Sequence, residues 1–232
     1  MPPLHAMPKG EESVPGLKVG GWTPRILVVD DHAVVRRGIL QILAGGFPGS
    51  KFSEACSAPE ALDMVWRQDW DLILLDISLP GRSGIEVLKE IRTARPKVPV
   101  LILSMHSEDQ FAVRALKAGA SGYVTKESPP EVVLEAIRRI LAGGKFITPT
   151  LAEKLATHLN IENDRQPHEA LSDREFEVLR LIGSGKTVGE IGEQLCLSVK
   201  TISTYRVRLL EKMGLNNNAE LVQYCVRNNI VE

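Results

Sequence analysis

The sequence predicts an α/β fold, a doubly wound five-stranded parallel sheet, followed by an all-α helix-turn-helix domain. Three observations lead there. Between residues 25 and 145, five short apolar runs alternate with stretches of helical spacing, the alternation of a parallel sheet covered by helices on both faces. Four of those runs end at, or just before, a chemically reactive polar side chain, as strands do at the carboxyl edge of an open α/β sheet. Past residue 171 the strand-like runs stop, and short capped helices separated by turns replace them.

Residues 1–24 are rich in Pro, Gly and charge and are expected to be a disordered extension or a start assigned too early. Arg25–Val29, R-I-L-V-V, reads as the first buried strand and ends in the pair Asp30-Asp31. Val34, Val35, Ile39, Ile42 and Leu43 give the next stretch helical spacing. Lys51–Cys56 is expected as a second strand, and Ala58–Arg67 as a helix with Ala61, Leu62, Val65 and Trp66 on its inner face. Leu72–Leu75 shows no alternation, which fits a strand buried on both sides. It runs into Asp76, and Pro80, Gly81 and Gly84 turn the chain afterwards. Ser83 can cap a helix to Thr93, and Val98–Leu103 forms a fourth strand ending in Ser104. Ser107 and Gln110 have capping-box spacing, and Gly122–Val124 is a fifth strand ending near Lys126. Ser128-Pro129-Pro130-Glu131 combines a cap, first-turn prolines and an acid, and Gly143-Gly144 stops the helix that follows.

In a right-handed parallel sheet the carboxyl ends of the strands share one edge. Asp30, Asp31, Asp76, Ser104 and Lys126 are therefore expected to converge. Clustered carboxylates repel one another unless a cation sits among them. Mg2+, a hard, oxygen-seeking ion that keeps several waters, suits the set. Ser104 and Lys126 could bond and neutralise the oxygens of a phosphoryl group carried by Asp76. Singly these residues say less, since a strand-end Asp also caps turns and acidic pairs are common on surfaces.

Residues 25–145 resemble the receiver domain of bacterial response regulators through V-V-D-D-H, L-L-D-I-S-L-P-G, L-I-L-S-M-H and A-G-A-S-G-Y-V-T-K. The resemblance implies that Asp76 accepts a phosphoryl group from the phosphohistidine of a sensor histidine kinase. It also implies that Asp31 and Asp76 ligate Mg2+, with Asp30 acting directly or through water and the Ser78 backbone carbonyl completing the protein ligands. Ser104 and Tyr123 would be the switch pair: a new hydrogen bond draws Ser104 inward and frees space for the Tyr123 ring. Met105 stands where many receivers have a small residue, and Ser78 and His106 flank the route of an attacking water.

Thr150–Leu159 spaces Leu151, Leu155 and Leu159 as a helix, and the polar stretch after it completes a linker over residues 146–170. In residues 171–232, Ser172 with Glu175 and Thr187 with Glu190 form capping boxes for two helices, broken by Gly183-Ser184-Gly185. Cys196-Leu197 is a tight turn, and Ser198 caps a third helix to Met213. The third helix carries Lys200, Thr201, Ser203, Thr204, Tyr205, Arg206, Arg208 and Lys212, with Ile202, Leu209, Leu210 and Met213 on its apolar side. Donors for phosphates and small side chains for base edges thus share one helix. A charge-rich helix is often only a solvated face; the short-turn pair of capped helices before it is what points to DNA. A last helix is expected over Ala219–Arg227, after Asn217 and Asn218.

This segment resembles the LuxR-type DNA-binding domain of NarL/FixJ regulators through L-S-D-R-E-F-E-V-L-R-L-I, G-K-T-V-G-E-I and L-S-V-K-T-I-S-T-Y-R-V-R-L-L-E-K. Many members have His at the position of Tyr205; the Tyr205-Arg206 pair is closer to the GacA/UvrY branch. The resemblance implies that Ser203, Thr204 and Val207 face bases, while Lys200, Thr201, Tyr205, Arg206 and Arg208 hold phosphates or rim bases. It further implies a phosphorylation-dependent homodimer, joined through the last helix, that reads an inverted repeat in double-stranded DNA, with RNA polymerase as a further partner. Gly189 and Gly192 lie inside the second helix, where each Gly costs about 1 kcal/mol against Ala, so a soft DNA-binding domain is expected.

Composition narrows the alternatives. A net charge of −1 over 232 residues excludes a chain that is basic throughout, though not a local basic patch. Cys56, Cys196 and Cys225 have no CxxC spacing and are odd in number, which fits a reduced, cytoplasmic chain. No apolar run nears the ~20 residues of a membrane span, and no secretory h-region is present. A rival reading is a phosphohydrolase with Asp76 as turnover nucleophile, resembling haloacid-dehalogenase-like enzymes. Those carry a second Asp two residues on, where this chain has Ser78, so a regulator rather than an enzyme is expected. A regulator independent of phosphorylation fits the full acidic set less well.

Overall fold

The computed structural model describes residues 23–105, 108–153 and 166–231, the side chains of 108–110 excepted. The extension up to residue 22, the Ser107–Gln110 cap, His106, Leu155, Leu159 and linker residues 154–165 lie outside the described residues. The strands are β1 Arg25–Val29, β2 Lys51–Ala55, β3 Leu72–Asp76, β4 Val100–Ser104 and β5 Gly122–Thr125, all parallel, in the order β2-β1-β3-β4-β5. β4 starts later than its apolar run: Val98 instead closes a turn by donating to the Arg95 carbonyl, and Pro99 has no N–H to give the ladder.

Period-2 alternation splits the sheet's side chains between two layers. Leu72 and Leu74 join Ile26, Val28 and Leu101 under helices α1 (Ala33–Gly46) and α5 (Pro130–Leu141). Ile73 and Leu75 join Leu27, Val29 and Ile102 under α2 (Ala58–Arg67), α3 (Gly84–Ala94) and α4 (Glu108–Lys117). β3 is buried along its whole length, as its unbroken apolar run requires.

Two expectations are corrected. Trp66 is not on the inner face of α2: it is 64% exposed, while Ala58, Ala61 and Val65 are buried. Each residue advances about 100° around a helix, and the Ala61–Val65 stripe leaves Trp66 on the outer flank. Trp70 takes the buried position instead, donating its indole N–H to the Met64 carbonyl at 3.2 Å. Ser128 does not cap α5. Its hydroxyl pairs with that of Thr125 at 2.8 Å, and Pro129 holds the cap position with no side-chain bond.

The second domain consists of a short 3-10 turn, Pro167–Ala170, and helices α6 Asp173–Gly183, α7 Val188–Leu195, α8 Val199–Met213 and α9 Asn218–Arg227. Both expected capping boxes form, at Ser172/Glu175 and Thr187/Glu190. Ser198 and Asn217 cap α8 and α9. Glu175 also accepts from Lys212 at 2.7 Å, tying α6 to α8.

The two glycines of α7 differ. A β-carbon on Gly192 would sit 2.8 Å from the Leu197 carbonyl oxygen, so Gly is needed for the turn to pack back on α7. One on Gly189 would meet only the Thr187 hydroxyl at 3.9 Å. The softness expected from both therefore rests on Gly189 alone. Gly189→Ala should raise stability by roughly 0.5–1 kcal/mol, whereas Gly192→Ala should lower it. Thermal melts giving both variants the same sign would contradict this packing.

Candidate phosphoacceptor pocket and DNA-binding face

The chain leaves β1 toward one side of the sheet and β3 toward the other, so the crevice between their carboxyl ends is a topological switch point. Asp30 follows β1 and Asp76 ends β3; they are 1% and 2% exposed. Asp31 stands at the rim. Lys126 follows β5, and its N–H bonds the Ser104 carbonyl at 2.8 Å. Its ammonium lies 2.6 Å from Asp30 Oδ2 and 2.6 Å from Asp76 Oδ2. Asp76 Oδ1 accepts from the Ser78 N–H at 3.3 Å, and Asp30 Oδ1 from the His32 N–H at 2.8 Å. A β-carbon at Gly84 would come within 2.0 Å of the Asp76 carbonyl oxygen, so only Gly lets α3 begin against the end of β3.

Burial pushes the Asp76 carboxyl up to about 6, against the opposing pull of Lys126. Burial works against the Lys126 ammonium too, but Asp76 and Asp30 together hold it above the ordinary lysine range. One lysine shared between two buried carboxylates cannot neutralise both.

The donor set fits a hard cation. Oxygens of Asp30, Asp31 and Asp76 and a ring nitrogen of His32 lie within 4.8 Å of one another. Three carboxylates against one ammonium leave excess negative charge, which an oxygen-seeking ion would offset. His32, quoted in V-V-D-D-H but given no role there, is a further member; its Nδ1 lies 2.8 Å from Asp31 Oδ1 on a mostly exposed side chain. Its position directly after the acidic pair was the available signal.

Ser104 and Tyr123 are both fully buried. Ile102 pairs with Tyr123 and Ser104 with Thr125, so Ser104 and Tyr123 point to the same face of the sheet, one pleat apart. Met105, just past β4, is exposed.

In the second domain, α7 and α8 are joined through Cys196, in the left-handed conformation at φ 53°. Ile202, Leu209 and Met213 of α8 are buried, whereas Lys200, Thr204, Val207 and Arg208 are exposed and Thr201 and Ser203 partly so. Lys200, Thr201, Thr204, Tyr205 and Arg208 line one shallow groove. Tyr205 packs partly into the core. Arg206 donates from Nε to Asn218 Oδ1 at 2.6 Å, so in this structure it is held by its own domain.

A buried acidic pocket at the switch point of a parallel sheet, in one chain with a helix-turn-helix whose second helix is exposed, defines a transcription regulator of receiver-plus-DNA-binding-domain type. The chain belongs to the two-component response regulators that combine a receiver with a LuxR-family DNA-binding domain: residues 26–138 match the response regulator receiver domain and residues 169–225 the bacterial regulatory proteins of the luxR family. It is 34% identical to the response regulator GacA of Pseudomonas aeruginosa over 90% of this chain and 98% of that one. It is 32% identical to the response regulator UvrY of Escherichia coli over 88% of this chain and 94% of that one. Among solved structures it resembles RcsB of Salmonella enterica serovar Typhimurium, bound to promoter rprA with the phosphomimetic BeF3-, with a TM-score of 0.59 and 25% identity over 88% of this chain and 99% of that one. Among the described residues no helix is long and apolar enough to cross a membrane.

Proposed function

We propose that residues 25–145 form a receiver in which Asp76 is the phosphoacceptor, and that its phosphorylation controls dimerisation and DNA binding by residues 171–232. The observation that carries this is the Lys126 ammonium, 2.6 Å from each of two buried carboxylates at the switch point. Asp76 offers the carboxylate that ends a central strand, and Lys126 is placed to follow charge onto a phosphoryl group. An Asp76 oxygen bonds to phosphorus as the P–N bond of a kinase phosphohistidine breaks, and the departing imidazole keeps the electron pair. Slow return follows when water attacks phosphorus and the Asp76 carboxylate leaves with inorganic phosphate as the other product. Asp31, Asp76, Asp30 and the Ser78 carbonyl would hold Mg2+, which when bound offsets the negative charge of the phosphoryl group. Ser104 and Tyr123 would carry the switch. The remaining partners are a sensor histidine kinase, an inverted repeat in DNA and RNA polymerase, all met in the cytoplasm.

The test is beryllofluoride with Mg2+ on the full chain. Dimer fraction by sedimentation and affinity for selected DNA should rise together, by the roughly 5–150-fold typical of coupled sites. Tyr123→Ala should bind beryllofluoride yet lose most of the rise. An unchanged monomer fraction would overturn phosphorylation-controlled dimerisation.

A further inference from the structure

His32 sits at the N-cap of α1, yet its side chain makes no capping bond. The ring is not in the core either, being 62% exposed. It is turned instead toward the acidic pair. Nδ1 lies 2.8 Å from Asp31 Oδ1 and 3.4 Å from Asp30 Oδ1. The backbone fixes it there, because the His32 N–H donates to the same Asp30 oxygen at 2.8 Å. Among the described residues no other group pairs with the ring.

This approach is not a plain ion pair. Asp31 Oδ1 is buried and accepts no hydrogen bond, although Nδ1 is so near. An imidazolium that only neutralised Asp31 would donate to it at this distance. Asp30, 1% exposed, is also under-served: its Oδ2 meets only the Lys126 ammonium, which Asp76 shares. The pocket therefore presents three carboxylates and one ring nitrogen, with a ligating atom of each within 4.8 Å of the others. The spacings around the nitrogen, 2.8 and 3.4 Å, are those of ligands on one ion. Donors that share a Zn2+ at about 2.0–2.2 Å lie about 3 Å apart at a right angle and about 3.4 Å apart at the tetrahedral angle.

We propose that His32 is a metal ligand, and that it makes this pocket a site for borderline divalent transition ions such as Zn2+, held by His32, Asp30, Asp31 and Asp76. Mg2+ takes oxygens and keeps several waters, so it has no use for the ring. Imidazole nitrogen suits Zn2+ and its neighbours in the transition series. Four protein donors complete the shell that Zn2+ prefers in a closed site. No position is then left for a phosphoryl oxygen, and the Asp76 oxygen committed to the ion is lost as a nucleophile. The same pocket thus accepts a phosphoryl group beside Mg2+ and is closed by Zn2+. The closure rests on the phosphoacceptor reading above; the metal site does not.

The experiment is calorimetric titration of the full chain with Zn2+ and, separately, with Mg2+, for wild type, His32→Ala and His32→Gln. The side chain is mostly exposed, so both variants should fold. Outer-shell partners of a metal are worth about 10–100-fold in affinity, so loss of a direct ligand should lower Zn2+ affinity relative to Mg2+ by at least about 10-fold. Zn2+ should also prevent uptake of beryllofluoride by wild type in excess Mg2+, and His32→Ala should need at least about 10-fold more Zn2+ for the same effect. Equal Zn2+ affinity in wild type and His32→Ala would place the ion elsewhere and overturn the proposal. Full affinity in His32→Gln, which has no ring nitrogen, would do the same, as would equal losses of Zn2+ and Mg2+ affinity. Zn2+ bound through His32 with beryllofluoride uptake unimpaired would overturn the closure. A wild type that binds Zn2+ through His32 but never takes up beryllofluoride with Mg2+ would overturn the phosphoacceptor reading and leave the metal site standing.

Discussion

Acetyl phosphate with Mg2+ is expected to add about 80 Da to the wild-type chain and nothing to Asp76→Asn. The reason is chemical and local. Asp30 is as buried as Asp76 and shares the same lysine, but it precedes the acidic rim, whereas Asp76 ends the central strand. Asn keeps the shape of Asp76 and loses the oxygen nucleophile, so a stable adduct on Asp76→Asn by intact mass would sink the assignment.

The same substitution has a second expected effect, on stability in the presence of a chelator. Asp76 titrates near 6 in the folded chain against 3.8 ordinarily. A folded pKa above the unfolded one means the folded state holds an extra proton between the two values. Wild-type stability therefore falls as pH rises through that window, and the charged form stays disfavoured above it. Asn carries no such penalty, so the advantage of Asp76→Asn should grow from acid pH to about 6 and then level. At about 1.4 kcal/mol per unit the gain is capped near 3 kcal/mol. All three tryptophans precede residue 71, so tryptophan fluorescence in urea reports the receiver. A pH-independent difference would contradict the burial of this carboxylate.

The other large effect is expected on DNA. α8 should lie in a major groove with its exposed side inward. Lys200 and Arg208 are exposed cations on that side and should hold phosphates. Arg208→Ala should weaken binding to all sequences alike and lower the salt slope by about one unit for each phosphate no longer held. Thr204→Ala should instead change the preferred sequence, at about 1–3 kcal/mol for each base it reads; Ser203 and Val207 share its face by helical spacing. Arg206 is tied to Asn218, so Arg206→Ala should affect affinity less than Arg208→Ala. The measurement is selection from random DNA with each variant, followed by binding curves at several salt concentrations. An unchanged consensus for Thr204→Ala, Ser203→Ala and Val207→Ala together would show that this face does not read bases.

The parts of the fold legible in the sequence are those governed by local rules. Strand and helix order followed from periodicity, and the Ser172/Glu175 and Thr187/Glu190 boxes from a spacing that satisfies neighbouring N–H groups. The Ser128 and Trp66 expectations failed where neighbours outside the segment decide. Thr125 claimed the Ser128 hydroxyl, and Trp70 took the buried place expected of Trp66.

Short segments alone were enough to place acidic, hydroxyl and lysine side chains at strand ends and a capped helix pair before a basic helix, because side-chain period and capping are local properties. Long-range packing was needed to set β1 beside β3 and to share Lys126 between Asp30 and Asp76. Packing also separated Gly192 from Gly189, and seated Arg180 against Phe111. Most of these are distances between residues far apart in the chain, and burial and charge at such sites are set by what packs around them rather than by their neighbours in sequence.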